Sequence, residues 1–168
     1  MVVNSTFRCV PLDPASIDLP SLASLAGASA AEHLLRRLRA AGHAQVRSSH
    51  GYIIQHLIAG TPTVGELAGQ LAVTQQAASK FVLELESLGY AERRPDPADS
   101  RIRRVALTSR GQSLVEQARA ARAKLEAEVI AAVGAQAVRA ARRALVAMLE
   151  VTGGTHAVAR RRVKPPST

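Results

Sequence analysis

Residues 63–111 read TVGELAGQLAVTQQAASKFVLELESLGYAERRPDPADSRIRRVALTSRG, and the order of features along them decides the fold. Thr63 and Glu66 have the spacing of a capping box, in which hydroxyl and carboxylate each satisfy a backbone N–H at the start of a helix. Val64, Leu67, Ala68 and Leu71 then share one face, which predicts a short helix. After the turn at Ala72 and Val73, Thr74 is placed to cap a second helix over residues 75–88. There Ala78, Phe81, Val82, Leu85 and Leu88 face inward, leaving Gln75, Gln76, Ser79 and Lys80 outside. Gly89 stops that helix. Residues 91–95 and 102–108 have the pattern of paired strands, the second with Val105 and Leu107 inward and Arg104 and Ala106 outward. Between them, residues 96–101 form a tip rich in Asp and Arg.

Two helices, a tight turn and a hairpin are suited to laying a helix in a DNA groove with a basic finger beside it. Gln bonds the N6 and N7 edge of adenine, Ser and Thr serve a base or a phosphate, and Lys serves guanine or a phosphate. Thr74, Gln75, Gln76, Ser79 and Lys80 are therefore the candidate reading residues. At the tip, Arg101 can enter a narrow minor groove, with Asp99 as its orienting partner. Arg93, Arg94, Arg103 and Arg104 near the same finger suit phosphate contact. Taken alone, a polar helical turn or a charged loop is an ordinary solvated surface, its ion pairs worth under about 1 kcal/mol. The preceding helix and turn favour the DNA reading.

Outward from this segment the signals thin. Residues 1–28 hold Pro11, Pro14 and Pro20 and show little periodicity, which predicts an irregular arm. Ser29 and Glu32 have capping-box spacing and open a helix expected over 29–47; a short helix fits 51–59. Thr108 or Ser109 starts a long helix with Leu114, Ala118, Ala121, Leu125 and Val129 on one stripe. Gly134 interrupts it, and residues 136–152 resume a helix with Val138, Leu145, Met148 and Leu149 apolar. Residues 153–168 read as a basic, disordered tail. The expected architecture is mainly α with a small β-hairpin: one domain over 29–152, its module at 51–108 flanked by N- and C-terminal dimerisation helices at 29–47 and 109–152. The apolar stripes of those end helices have no evident partner layer within one chain, so a homodimer is expected.

Composition agrees. Lys and Arg number 22 against 13 acids, a formal charge of +9, so the chain attracts phosphate. With two Phe, two Tyr and no Trp, it lacks the stacking platforms that hold single strands, which favours double-stranded DNA. Cys9 is the single cysteine, so no internal disulfide forms. Arg8 beside it favours the thiolate, yet a passive thiol in a reducing compartment is the simpler reading. No apolar run reaches the roughly 18 residues of a membrane span, and the Pro- and Asp-broken start is unlike a signal peptide, so a cytoplasmic protein is expected. His43, His50 and His56 are not spaced as metal ligands on one turn. Without a phosphate loop, HExxH or GxSxG, neither an enzyme nor a cofactor is expected. The competing reading is a winged module that contacts RNA or protein without operator specificity.

The succession ELA, VTQQAASK, LESLGYAERRPDPADSR and LTSRG resembles the winged helix-turn-helix transcriptional regulators of the MarR (multiple antibiotic resistance regulator) type. The likeness is strong over 63–111; the flanking helices match in number and order. It implies a homodimeric repressor on a palindromic operator. Gln75, Gln76, Ser79 and Lys80 then contact DNA, and Arg101 is the wing arginine oriented by Asp99. It also implies a small-molecule effector between the dimer helices and the winged module, for which His33, Arg47, His50, Tyr52 and His56 are the candidates near that junction.

Overall fold

The computed structural model describes residues 13–155. The start of the arm with Cys9, and the basic tail from residue 156 onward, lie outside the described residues. Six helices and one hairpin follow in order: α1 Leu19–Ala40, α2 Ser48–Ala59, α3 Val64–Leu71, α4 Gln75–Ser87, β1 Ala91–Pro95, β2 Arg103–Leu107, α5 Ser109–Val133 and α6 Ala135–Val151.

The N-terminal expectation needs correction. The irregular arm does not reach residue 28, because α1 begins at Leu19: Asp18 accepts the Ser21 N–H at 2.9 Å and Pro20 sits in the first turn. Proline in that turn costs no backbone bond, since the N–H it lacks has no helical acceptor there. Ser29 consequently lies inside the helix, and Glu32 pairs with Arg36 at 3.0 Å instead of capping. The helix also ends before residue 47. Gly42 takes a φ of +93°, and the His43 N–H donates back to the Leu38 carbonyl at 3.0 Å.

In the module the caps form where the spacing placed them. Thr63 Oγ1 accepts the Glu66 N–H while Glu66 accepts the Thr63 N–H, Thr74 accepts the Ala77 N–H, and Thr108 accepts the Gly111 N–H. The strands pair antiparallel with Arg93 opposite Val105. A third short segment joins them: the Val105 N–H donates to the Pro62 carbonyl at 2.8 Å, and Thr63 forms a bridge with Arg104. Ala106, expected outward, is buried along with Val105 because β2 is packed by α2, α3 and α5.

The core gathers Ile53, Leu57, Leu67, Val82, Leu85, Tyr90 and Val105 from the module, and Leu38 and Leu114 from α1 and α5. One joint holds module and α5 together. A Cβ on Gly111 would lie 2.1 Å from the Tyr90 carbonyl oxygen, which itself accepts the Thr108 N–H at 3.1 Å. Gly111→Ala is therefore expected to lower stability by about 3 kcal/mol, read as a shift in the urea midpoint; an unchanged midpoint would show that the joint yields.

Three histidines are buried in this core, His43, His50 and His56. His43 Nδ1 lies 3.0 Å from the Tyr90 hydroxyl, and His50 Nδ1 accepts the Arg47 N–H at 3.2 Å. Burial first, then the nearby Arg110 cation for His43 and Arg47 for His50, pushes both imidazoles below the usual histidine range. The unfolded chain then binds more protons than the folded one as pH falls below about 6.5, so this stability is present at neutral pH and lost on acidification. Unfolding free energy should drop between pH 7 and pH 5. His50→Gln should remove up to about 1.4 kcal/mol per pH unit of that slope, and an unaltered slope would acquit His50.

Candidate nucleic-acid interface

Helix α4 is held from behind. Ala78, Val82 and Leu85 are fully buried, and α4 packs on α3 and β1. Its position relative to α3 is set by Ala72, which closes α3 in a left-handed conformation at φ 55°. With the inner face occupied, Gln75, Gln76 and Lys80 stand exposed and Ser79 is half-buried on the same surface. Thr74 is engaged locally, its hydroxyl accepting the Ala77 N–H at 3.2 Å. Leu83, which composition and periodicity did not single out, also lies on the outer face, 53% exposed.

The wing tip is organised by Asp96, a residue that no local pattern in the sequence singles out. Asp96 accepts the Ala98 N–H at 2.7 Å and pairs with the Arg104 guanidinium. Arg104 also donates to the Thr61 carbonyl at 3.1 Å and lies 3.5 Å from Glu66, tying the finger to the start of α3. The bond from Arg104 holds the Asp96 carboxyl below the usual carboxylate range, and Asp96 raises Arg104 in turn. Asp99 accepts the Arg101 backbone N–H at 2.9 Å, so it orients the main chain of Arg101 rather than its guanidinium.

This arrangement sorts the arginines. Arg93 turns back to Glu86 of α4 at 3.8 Å, and Arg94 is bound to Glu92 at 2.5 Å. Among the described residues, Arg101, Arg103 and Lys80 make no ion pair, and all three are exposed. Free cations thus flank a helix whose exposed amides are also uncommitted, which is the chemistry a duplex groove requires.

A separate cleft of about 380 Å³ lies between α1, α2 and α5, walled by Leu34, Leu35, Ile54, Ile58 and Leu114. Arg47 and Tyr52 line it, as do Arg119 and Arg122, which the sequence did not point to. His33, His50 and His56 do not. Helical geometry separates them: His33 lies across α1 from Leu34, Leu35 and Leu38, and His50 and His56 flank the cleft-facing row of α2, each turned about 100–140° from Gly51 and Gln55. The ring of His50 instead approaches Glu84 of α4 at 3.3 Å, and Arg47 is ion-paired to the same carboxylate. Among the described residues no group of three or more His, Cys, Asp or Glu could hold a metal ion, and no helix is long and apolar enough to cross a membrane.

No protein-family model and no curated protein matches the sequence. Solved structures do match in shape. A mutant of S. aureus MepR bound to an oligodeoxyribonucleotide superposes with a TM-score of 0.59 at 19% identity, over 81% of this chain and 99% of that one. MepR bound to ethidium bromide gives 0.61 at 18%, over 82% and 99%. A mutant of E. coli MarR gives 0.58 at 24%, over 79% and 97%. Helix order, hairpin and these likenesses agree: the chain has the winged helix-turn-helix fold of the MarR-type transcriptional regulators.

Proposed function

We propose that the chain is a sequence-specific DNA-binding transcriptional regulator, a ligand-responsive repressor acting as a homodimer on a palindromic operator. One observation carries the DNA-binding part: the outer face of α4 presents uncommitted Gln75, Gln76 and Lys80 beside a wing that presents Arg101 and Arg103. On this proposal α4 enters the major groove, Arg101 the adjacent minor groove, and Arg103 contacts a phosphate; Arg93 and Arg94 serve phosphates only by leaving their carboxylate partners. MepR, bound to an oligodeoxyribonucleotide in a fold of the same kind, supports this.

The homodimer follows from what α6 leaves uncovered. None of its residues is buried, while Leu145, Val146 and Val151, with Val129, Ile130 and Val133 of α5, stand exposed. A second copy covers such a surface and sets two α4 helices about 34 Å apart, or a multiple of it, on a two-fold operator. Duplex selection from random sequence should return a palindrome bound by two chains, as counted by sedimentation. Arg101→Ala should weaken it by about 1–3 kcal/mol, and Gln76→Ala should relax the preference at one position per half-site. Equal affinity for scrambled duplex and single strands would favour the RNA- or protein-binding alternative.

Responsiveness is assigned to the cleft between α1, α2 and α5, whose size is that of a small-molecule pocket. Its apolar walls and the guanidinium groups of Arg47, Arg119 and Arg122 suit an amphipathic anion. MepR bound to ethidium bromide supports small-molecule binding by this fold, although that ligand is a cation. Titrating the DNA complex with aromatic and medium-chain carboxylates should release DNA. In the Arg119→Ala, Arg122→Ala double variant the concentration needed should rise at least about tenfold, as for one lost charge-assisted bond. Indifference of the wild-type complex to every carboxylate would remove the effector from the proposed function.

A further inference from the structure

Leu83 is the one large apolar side chain exposed on α4. Its neighbours one turn away on the same helix are Ser79, Lys80, Glu86 and Ser87, so no apolar partner accompanies it along that face. Toward the N-terminus of α4 it shares a shallow groove of about 450 Å³ with Thr74, Gln76, Ala77, Ser79 and Lys80. Most other exposed large hydrophobics belong to α5 and α6, the surface already assigned to a second copy. Leu83 is not part of that surface. It stands among the residues that face DNA in the function proposed above.

An aliphatic side chain has nothing to offer a phosphate or a base amide. The apolar feature that base edges present in the major groove is the C5-methyl of thymine. We propose that Leu83 reads a thymine methyl group, and so acts as a specificity-determining residue alongside Gln75 and Gln76; this rests on the DNA-binding function proposed above. The helix sets the register. Leu83 follows Gln76 by seven residues, about 10.5 Å along the axis of α4, so the two side chains reach different base pairs. The thymine should therefore be a different position from the base that Gln76 contacts, in the same half-site.

The test uses the full chain and the duplex it selects. Each thymine of the selected site is replaced in turn by deoxyuridine, which removes the methyl and leaves every hydrogen-bonding edge in place, and anisotropy is measured for wild type and Leu83→Ala. Alanine is the best helix former and the site is exposed, so the variant keeps its fold, which circular dichroism checks. The expected result is one thymine per half-site whose replacement weakens wild type roughly fourfold, the worth of one buried methyl group, and leaves Leu83→Ala unchanged. If no thymine separates the two proteins, Leu83 reads no methyl, while DNA binding stands. If wild type selects no sequence at all, the proposed function itself falls, and the methyl contact with it.

Discussion

The outer surface of α4 is left free for the proposed contact with DNA only because its inner surface is so completely occupied. Ala78, Val82 and Leu85 are fully buried, and Leu67 of α3 and Val105 of β2 are equally so. Burying the Val and Leu side chains among them contributes about 1.5–3 kcal/mol each, far more than any surface ion pair in the wing. That packing fixes the rotation of α4 about its own axis, and rotation decides which residues point out. A turn of one residue, about 100°, would carry Gln76 off the outer face and bring the apolar Val82 to the front. On the proposed function, specific recognition by this helix is thus a consequence of hydrophobic geometry on the side turned away from DNA.

The same logic explains what was legible in the sequence. Capping boxes and apolar stripes are local signals, and they place α3, α4 and the start of α5 where they stand, through Thr63 and Glu66, Thr74, Thr108 and the inward row of α4, whereas α2, expected from residue 51, begins at Ser48. The start of α1 was hidden because proline read as a breaker, whereas in the first turn, behind the Asp18 cap, it is compatible with the helix. The bond between Val105 and Pro62 was hidden for a different reason. It joins segments far apart along the chain through one carbonyl, and no periodicity records such a contact.

At the wing, two aspartates compete for the same description. The Asp99–Arg101 pair is adjacent and conspicuous, yet the carboxylate meets a main-chain N–H. Asp96 reaches Arg104 across the hairpin, because antiparallel register sets Pro95 opposite Arg103 and brings their neighbours together. Register is a tertiary fact. The consequence for the proposed function is favourable: the acid that neutralises an arginine takes Arg104, which ties the finger to α3, and leaves Arg101 and Arg103 charged and exposed at the tip. Proximity along the chain likewise gathered His33, His50 and His56 around a ligand, although helical phase puts them behind the cleft wall while Arg119 and Arg122 of α5 enter it.

Arg47 connects the two halves of the proposed mechanism. It lines the cleft and is ion-paired to Glu84, which lies on α4 between the buried Val82 and Leu85. Beside it, His50 presents Nε2 to the same carboxylate while burial holds its imidazole neutral, so Arg47 is the cation that Glu84 has. An anion in the cleft competes with Glu84 for that guanidinium. If the anion wins, Glu84 is left beside a neutral imidazole in a half-buried setting, where an unpaired charge is costly. On the proposed function that penalty falls on α4, and Arg47 is the side chain that touches both the cleft and the carboxylate of that helix.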